Sequence, residues 1–131
     1  MTKREVISSD IAPRTGLPYS QAIKVGDLVF VAGMVAFDPL TNLIVPGDIG
    51  VQTRRVLDNI ALVLDAAGTT IAHAVETICF LHDVRRDFDA FNAVYREYFP
   101  TEGPARTTVQ ATLPRDGLLV EIRLVAAMPP S

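Results

Sequence analysis

Two charges, one in each of two strands near the end of the chain, carry its chemistry. Residues 104 to 122 read Pro-Ala-Arg-Thr-Thr-Val-Gln-Ala-Thr-Leu-Pro-Arg-Asp-Gly-Leu-Leu-Val-Glu-Ile, which reads as two strands around a Leu-Pro-Arg-Asp-Gly turn. Arg106 opens the first strand and Glu121 sits inside the second. A charge in such a strand needs a partner or a task, because burying it alone is costly. A guanidinium matches a carboxylate in bidentate fashion. A carboxylate beside it can move a proton. The pair points to a site for a small anionic metabolite at which acid–base chemistry occurs.

The elements that must position these residues follow from periodicity. Residues 3–8 predict a short strand, and 9–19, with Pro13, Gly16 and Pro18, an irregular loop. Residues 21–25 and 28–35 flank the turn signal Gly26-Asp27. The second of these runs is continuously apolar, as a central strand would be, and Gly33 within it marks a bulge or a close approach by a ligand. A loop spans 38–47. Asp48 is placed to cap a helix that Gly68 stops, with Ile49, Val56, Ile60, Val63 and Leu64 on its inner face. Residues 75–81 predict a strand. Asp87 or Asp89 would cap a second helix, whose stripe of Phe88, Phe91, Val94, Tyr95 and Tyr98 reads most simply as core. Strands at 105–112 and 118–127 close the chain. The expectation is one α+β domain over residues 1–131, ordered β-β-β-α-β-α-β-β, with two helices on one face of a six-stranded mixed sheet.

Alternation assigns Leu118, Val120, Ile122 and Leu124 to the helix face, and Glu121, Arg123 and Val125 to the other. Arg106, Thr108, Gln110 and Thr112 share a face, read here as part of a mixed polar side. That side meets water or another subunit. The 49% hydrophobic composition and mean hydropathy of +0.27 favour another subunit.

Composition narrows the function classes. The formal charge is −3 and the pI about 5.2, with basic residues scattered, so no nucleic-acid footprint is evident. A single cysteine, Cys79, excludes an internal disulfide framework, fits a cytoplasmic setting and reads as inert core. No long apolar run follows Met-Thr-Lys-Arg-Glu-Val-Ile, so neither a signal peptide nor a membrane span is expected. His73 and His82 make no metal-site spacing with Cys79, and no glycine-rich phosphate loop or Ser-His-Asp set is present. The bland reading of Arg106 is an ion pair, and that of Glu121 is a pair with Arg123. Tyr19 would be loop packing, Asn92 a helix-surface amide and Thr108 a strand former.

With this layout in place, the chain resembles the YjgF/RidA family of imine deaminases over nearly its whole length. The resemblance lies in Pro18-Tyr19-Ser20-Gln21-Ala22, Val31-Ala32-Gly33, Gln52-Thr53-Arg54, Leu57-Asp58-Asn59, Phe91-Asn92-Ala93-Val94-Tyr95 and the Pro104-Ala105-Arg106, Leu113-Pro114 and Val120-Glu121-Ile122 blocks. It implies a chorismate-mutase-like fold, a homotrimer with clefts between subunits, and chemistry without a cofactor. The activity implied is hydrolysis of enamines and imines such as 2-iminopropanoate or 2-iminobutanoate to 2-oxo acids and ammonia. By the same resemblance Arg106 binds the substrate carboxylate and Glu121 handles the attacking water. Tyr19, Asn92 and the backbone of Gly33 line the pocket. Well-known members carry cysteine where this chain has Thr108, and glutamine where it has Met34. Those changes put substrate preference in question, and Met34 would grease or widen the cleft. Residues 33–38 with Gln52-Thr53-Arg54 also resemble a RutC-like branch linked to aminoacrylate metabolism. The alternatives are an aminoacrylate- or aminomuconate-type deaminase of one catabolic pathway, a metabolite-binding trimer without catalysis, and a ribonuclease role, which the charge disfavours.

Overall fold

The computed structural model describes residues 3–131; the first two residues of the expected domain lie outside it. Six strands form one sheet: β1 (Arg4–Ile7), β2 (Ala22–Val25), β3 (Leu28–Val35), β4 (Ala74–Leu81), β5 (Ala105–Gln110) and β6 (Val120–Ala127). Two helices, α1 (Ile49–Ala67) and α2 (Val84–Tyr98), complete the expected β-β-β-α-β-α-β-β order. The sheet runs β1-β2-β3-β6-β4-β5. All pairs are antiparallel except β4 with β5, which are parallel and are joined by α2 as the crossover that a parallel pair needs.

Helix α1 forms where its end signals place it. The Asp48 carboxylate accepts from the Val51 N–H at 3.0 Å, and Gly68 ends the helix at φ +88°, which a side chain would resist. Its inner face packs on β3 and β6, and Val56, Leu57, Ile60, Val63 and Leu64 are wholly buried. Helix α2 starts earlier than the sequence suggested. Asp83, not Asp87 or Asp89, caps it, accepting from the Arg86 N–H at 3.1 Å. Asp87 is instead gripped by Arg86 through two hydrogen bonds of 3.0 and 2.8 Å, which takes it out of competition for the cap.

The strands around the Leu-Pro-Arg-Asp-Gly turn exist but are not partners: β4 lies between them. The reason is burial. In β6, Val120, Ile122, Leu124, Val125 and Ala126 are buried, so it belongs at the sheet centre. The more polar β5 takes the edge. Both strands are also shorter than expected, ending at Gln110 and starting at Val120. Buried Gln52 donates to Val45 O (3.1 Å) and Gly117 O (2.8 Å) and accepts from Leu119 N (2.8 Å), so residues 111–119 form an anchored loop.

Leu118, Val120, Ile122 and Leu124 face the helices as expected, each 2% exposed or less. The opposite face is uncovered within the chain. Register aligns Val6, Ile23, Phe30 and Val125 in one row across it. Phe30 there is 37% exposed and Val6 56%.

Candidate active site

Glu121 points from β6 to the uncovered face, opposite Phe80 of β4 and Val35 of β3. The β3–β6 register slips between Val31 and Met34, so the bulge expected at Gly33 is present. The group that approaches Gly33 closely is Glu121 itself. A Cβ added at Gly33 would lie 3.1 Å from Glu121 Cδ and would run into its Oε2. Glycine is thus the residue that lets the carboxylate lie against β3.

Glu121 has no ion-pair partner among the described residues, and Arg123 faces Glu76 at 3.8 Å instead. The bland reading of Glu121 as the partner of Arg123 therefore fails. Burial holds its pKa above the ordinary carboxylate value. Around it is a cavity of about 360 Å³ lined by Tyr19, Gly33, Val35, Phe37, Arg115 and Leu118, among others. Tyr19 is 54% exposed, and its hydroxyl accepts from Thr15 Oγ1 at 3.0 Å.

The loop carrying Tyr19 is irregular but well tied. Gln21 accepts from Ser9 N (2.6 Å) and donates to Pro13 O (3.0 Å), while Arg14 donates to Ser9 O (2.8 Å). Asn42 in turn joins this loop to residues 38–47 by accepting from Arg14 N and donating to Arg14 O.

Arg106 lies elsewhere. The parallel register sets it beside Thr77, and Thr108 beside Cys79, two β4 residues that are wholly buried under the helices. Arg106 and Thr108 are therefore on the helix face, and the expectation that they share a polar face with Glu121 is corrected. Strand β5 is the edge strand of the sheet. Long polar side chains at the sheet edge can thus turn towards the helices and still reach solvent.

The Arg106 guanidinium rests over three rings of α2: Tyr95 at 4.7 Å, Phe91 at 5.4 Å and Phe88 at 5.8 Å. Among the described residues it meets no carboxylate. The stripe read as plain core is core at Phe91, but it is also the bed of this arginine. Asn92 lines the same opening, of about 370 Å³, with Arg96 and Phe99. The Thr108 hydroxyl is buried without a hydrogen-bond partner. Beneath lies Cys79, whose thiol burial pushes up to about 11, in keeping with inert core.

Within one chain the candidate residues thus form two half-sites on opposite sheet faces. Tyr19, Gly33 and Glu121 make one; Arg106, Thr108 and Asn92 make the other. Met34 is 8% exposed and belongs to the core cluster, and it also lines a cavity of about 320 Å³ with Tyr19, Gln21 and Gly33. Arg115, over the Phe37 ring at 5.4 Å, lines the Glu121 cavity and was not singled out from sequence. Its place in a turn made it look like ordinary surface charge. Gln52 and Asn59 were also missed as buried struts. Asn59 donates to Phe37 O at 2.8 Å and so fixes a wall of that cavity. No group of His, Cys, Asp and Glu suited to a metal ion occurs among the described residues.

Known proteins share this fold. The family model described as Endoribonuclease L-PSP, that of the YjgF/RidA proteins, matches residues 10–128. The chain belongs to the YjgF/RidA family. It is 46% identical over 124 residues to a RutC family protein of Sulfurisphaera tokodaii, covering 94% of this chain and 98% of that one. It is 38% identical over 128 residues to the 2-iminobutanoate/2-iminopropanoate deaminase of Capra hircus, covering 97% and 92%. The solved structure of YyfA, a Rid-family protein from Yersinia pestis, superposes with a TM-score of 0.90 at 38% identity, covering 96% and 100%. These relatives support an imine deaminase reading of this YjgF/RidA chain at the level of reaction class. The expected α+β fold, two helices on a six-stranded mixed sheet, stands. No helix of the described residues is long and apolar enough to cross a membrane.

Proposed function

We propose that this protein hydrolyses small 2-imino acids and their enamine tautomers, of the 2-iminopropanoate and 2-iminobutanoate type, to 2-oxo acids and ammonia. It would do so in clefts between three identical subunits. The observation that carries this reading is the split of the candidate residues. An unpaired, desolvated carboxylate and an unpaired guanidinium lie on opposite faces of one sheet, so neither half is a complete site alone. A second copy covering the apolar row of Val6, Ile23, Phe30 and Val125 would bury that face and set its own Arg106 against Glu121.

In such a cleft Arg106 holds the substrate carboxylate through its planar fork, with Asn92 and the unpartnered Thr108 hydroxyl beside it. Glu121, ionised, orients a water and takes its proton as the water adds to the imine carbon. The imine nitrogen takes up the proton held by Glu121, giving a neutral tetrahedral carbinolamine; Glu121 then takes the carbinolamine hydroxyl proton and passes it to the nitrogen as the C–N bond breaks, so ammonia leaves and the 2-oxo acid remains. Burial raises the proton affinity of Glu121, which suits a group that must accept and then return a proton. Imines hydrolyse in water unaided, so positioning and one acid–base group suffice. A cytoplasmic setting, where pyridoxal-phosphate enzymes release such imines, fits this reading.

The test is ammonia release from imines made in situ by an amino acid oxidase acting on alanine, 2-aminobutanoate, leucine and methionine. Release faster than the spontaneous rate, abolished by Arg106→Lys, supports the reading. Spontaneous rates throughout, with cleavage of RNA instead, would replace it with the ribonuclease alternative.

A further inference from the structure

An arginine can be fixed in place in two ways with opposite consequences. A carboxylate partner fixes it but neutralises it and occupies its N–H fork. Aromatic faces fix it by its flat side and leave the edge, where all the N–H donors lie, open to a ligand. Arg106 is held in the second way. Its guanidinium lies over Tyr95, Phe91 and Phe88, at 4.7, 5.4 and 5.8 Å.

The nearest of these rings is itself immobilised. The Tyr95 hydroxyl bonds the Thr77 hydroxyl at 2.7 Å, and Thr77 is wholly buried on β4, directly beside Arg106 in the strand register. The ring also packs on Phe91 at 5.6 Å and Phe99 at 4.6 Å between centroids. A tyrosine so placed has its position set by the sheet and by the helix at once. The arginine lying on it inherits that position without spending a donor. Tyr95 itself lines the Arg106 opening.

We propose that Tyr95, locked by Thr77 and flanked by Phe88, is a positioning residue that presents the Arg106 fork, unpaired, to the substrate carboxylate. This rests on Arg106 being the carboxylate anchor, as proposed above. The chemistry at the imine carbon belongs to Glu121, so loss of the ring impairs anion binding and leaves the chemical step in place.

The experiment measures binding of 2-oxobutanoate, which carries the carboxylate but no imine, by calorimetry on the assembled protein, together with KM, kcat and thermal midpoint. Tyr95→Leu weakens 2-oxobutanoate binding and raises KM about 10-fold, with kcat within about 2-fold of wild type. Tyr95→Phe keeps the ring and loses only its tether, so its effect is smaller, about 2- to 3-fold. Phe88 is 40% exposed, so Phe88→Ala opens no core cavity and folds even if Tyr95→Leu does not. It weakens binding about 3-fold. In an Arg106→Lys background none of these substitutions changes binding further.

A lowered thermal midpoint with unchanged 2-oxobutanoate affinity in both Tyr95→Leu and Phe88→Ala overturns the proposal and leaves a packing role. So does a fall in kcat at constant KM. Failure of the wild type to bind 2-oxobutanoate removes the carboxylate anchor, and this proposal falls with it.

Discussion

Gly33→Ala is the sharpest probe of the Glu121 geometry. The new methyl would meet Glu121 Oε2 and sit 3.1 Å from Cδ and 3.4 Å from Cγ. Restoring an ordinary contact requires the carboxylate to recede by about 1 Å. Most of that shift falls on the far end of a rotatable side chain, so the fold yields cheaply. The stability loss belongs at the low end of the ~1–3 kcal/mol range for overpacking, a fall of about 3–6 °C in thermal midpoint. Catalysis has less tolerance, because a displacement of about 1 Å in a reacting group can cost roughly 10²-fold. The expected result is kcat on 2-iminobutanoate lowered about 10²-fold, with KM nearly unchanged because Arg106 is untouched. The assay is steady-state ammonia release beside a melting curve. The double variant Gly33→Ala/Glu121→Asp withdraws the carboxylate by one methylene, so the two losses should not add. Near-normal turnover in Gly33→Ala would refute the reasoning, since it would mean that the position of Glu121 against β3 does not matter to the reaction.

Glu121→Gln should retain 2-oxobutanoate binding and slow turnover by roughly 10²–10⁴-fold, read by calorimetry and ammonia release. The same substitution should raise the thermal midpoint at neutral pH. Burial raises the folded-state pKa of Glu121, so its favourable contribution is full below the unfolded pKa and is lost as pH rises through the folded one; melts in acid should therefore show the gain disappearing. The acid limb of kcat/KM should fall at a higher pH than an ordinary carboxylate would give, and a limb at or below the usual carboxylate range would exclude Glu121 as the base. Gln52→Ala should cost about 3 kcal/mol or more in urea unfolding, because it strands the Leu119 N–H and two carbonyls in the interior.

Local signals in the sequence were read well where they acted through the backbone. Asp48 and Gly68 bound α1, and alternation set Ile122 and Leu124 against the helices, because capping and pleat are local properties. What sequence could not reveal was set by neighbours distant along the chain. Strand β4 separates β5 from β6, and that placement turns Arg106 to the helix face while Glu121 stays on the other. The α2 aromatics read as core because nothing in their spacing announces an arginine 11 or more positions downstream, on the far side of Pro104. Gln52 looked like a helix polar residue, and only the returning loop at Gly117 and Leu119 reveals it as a strut. Met34 packs in the core cluster opposite Ile122 while lining the cavity it shares with Tyr19 and Gly33, a double role its position beside Gly33 alone does not reveal.

The central claim is that catalysis needs Arg106 from one subunit and Glu121 from another. It is tested most directly by unfolding inactive Arg106→Lys and inactive Glu121→Gln proteins together and refolding them as a mixture. Each subunit then still carries one intact half-site. In trimers assembled at random from equal amounts, about a quarter of the clefts pair an intact Arg106 with an intact Glu121 across the interface. The account predicts recovery of ammonia release to about that fraction of the wild-type rate, with neither variant recovering when refolded alone. No recovery in mixed trimers whose composition is verified by native mass spectrometry would contradict it, as would activity in a monomeric wild-type protein.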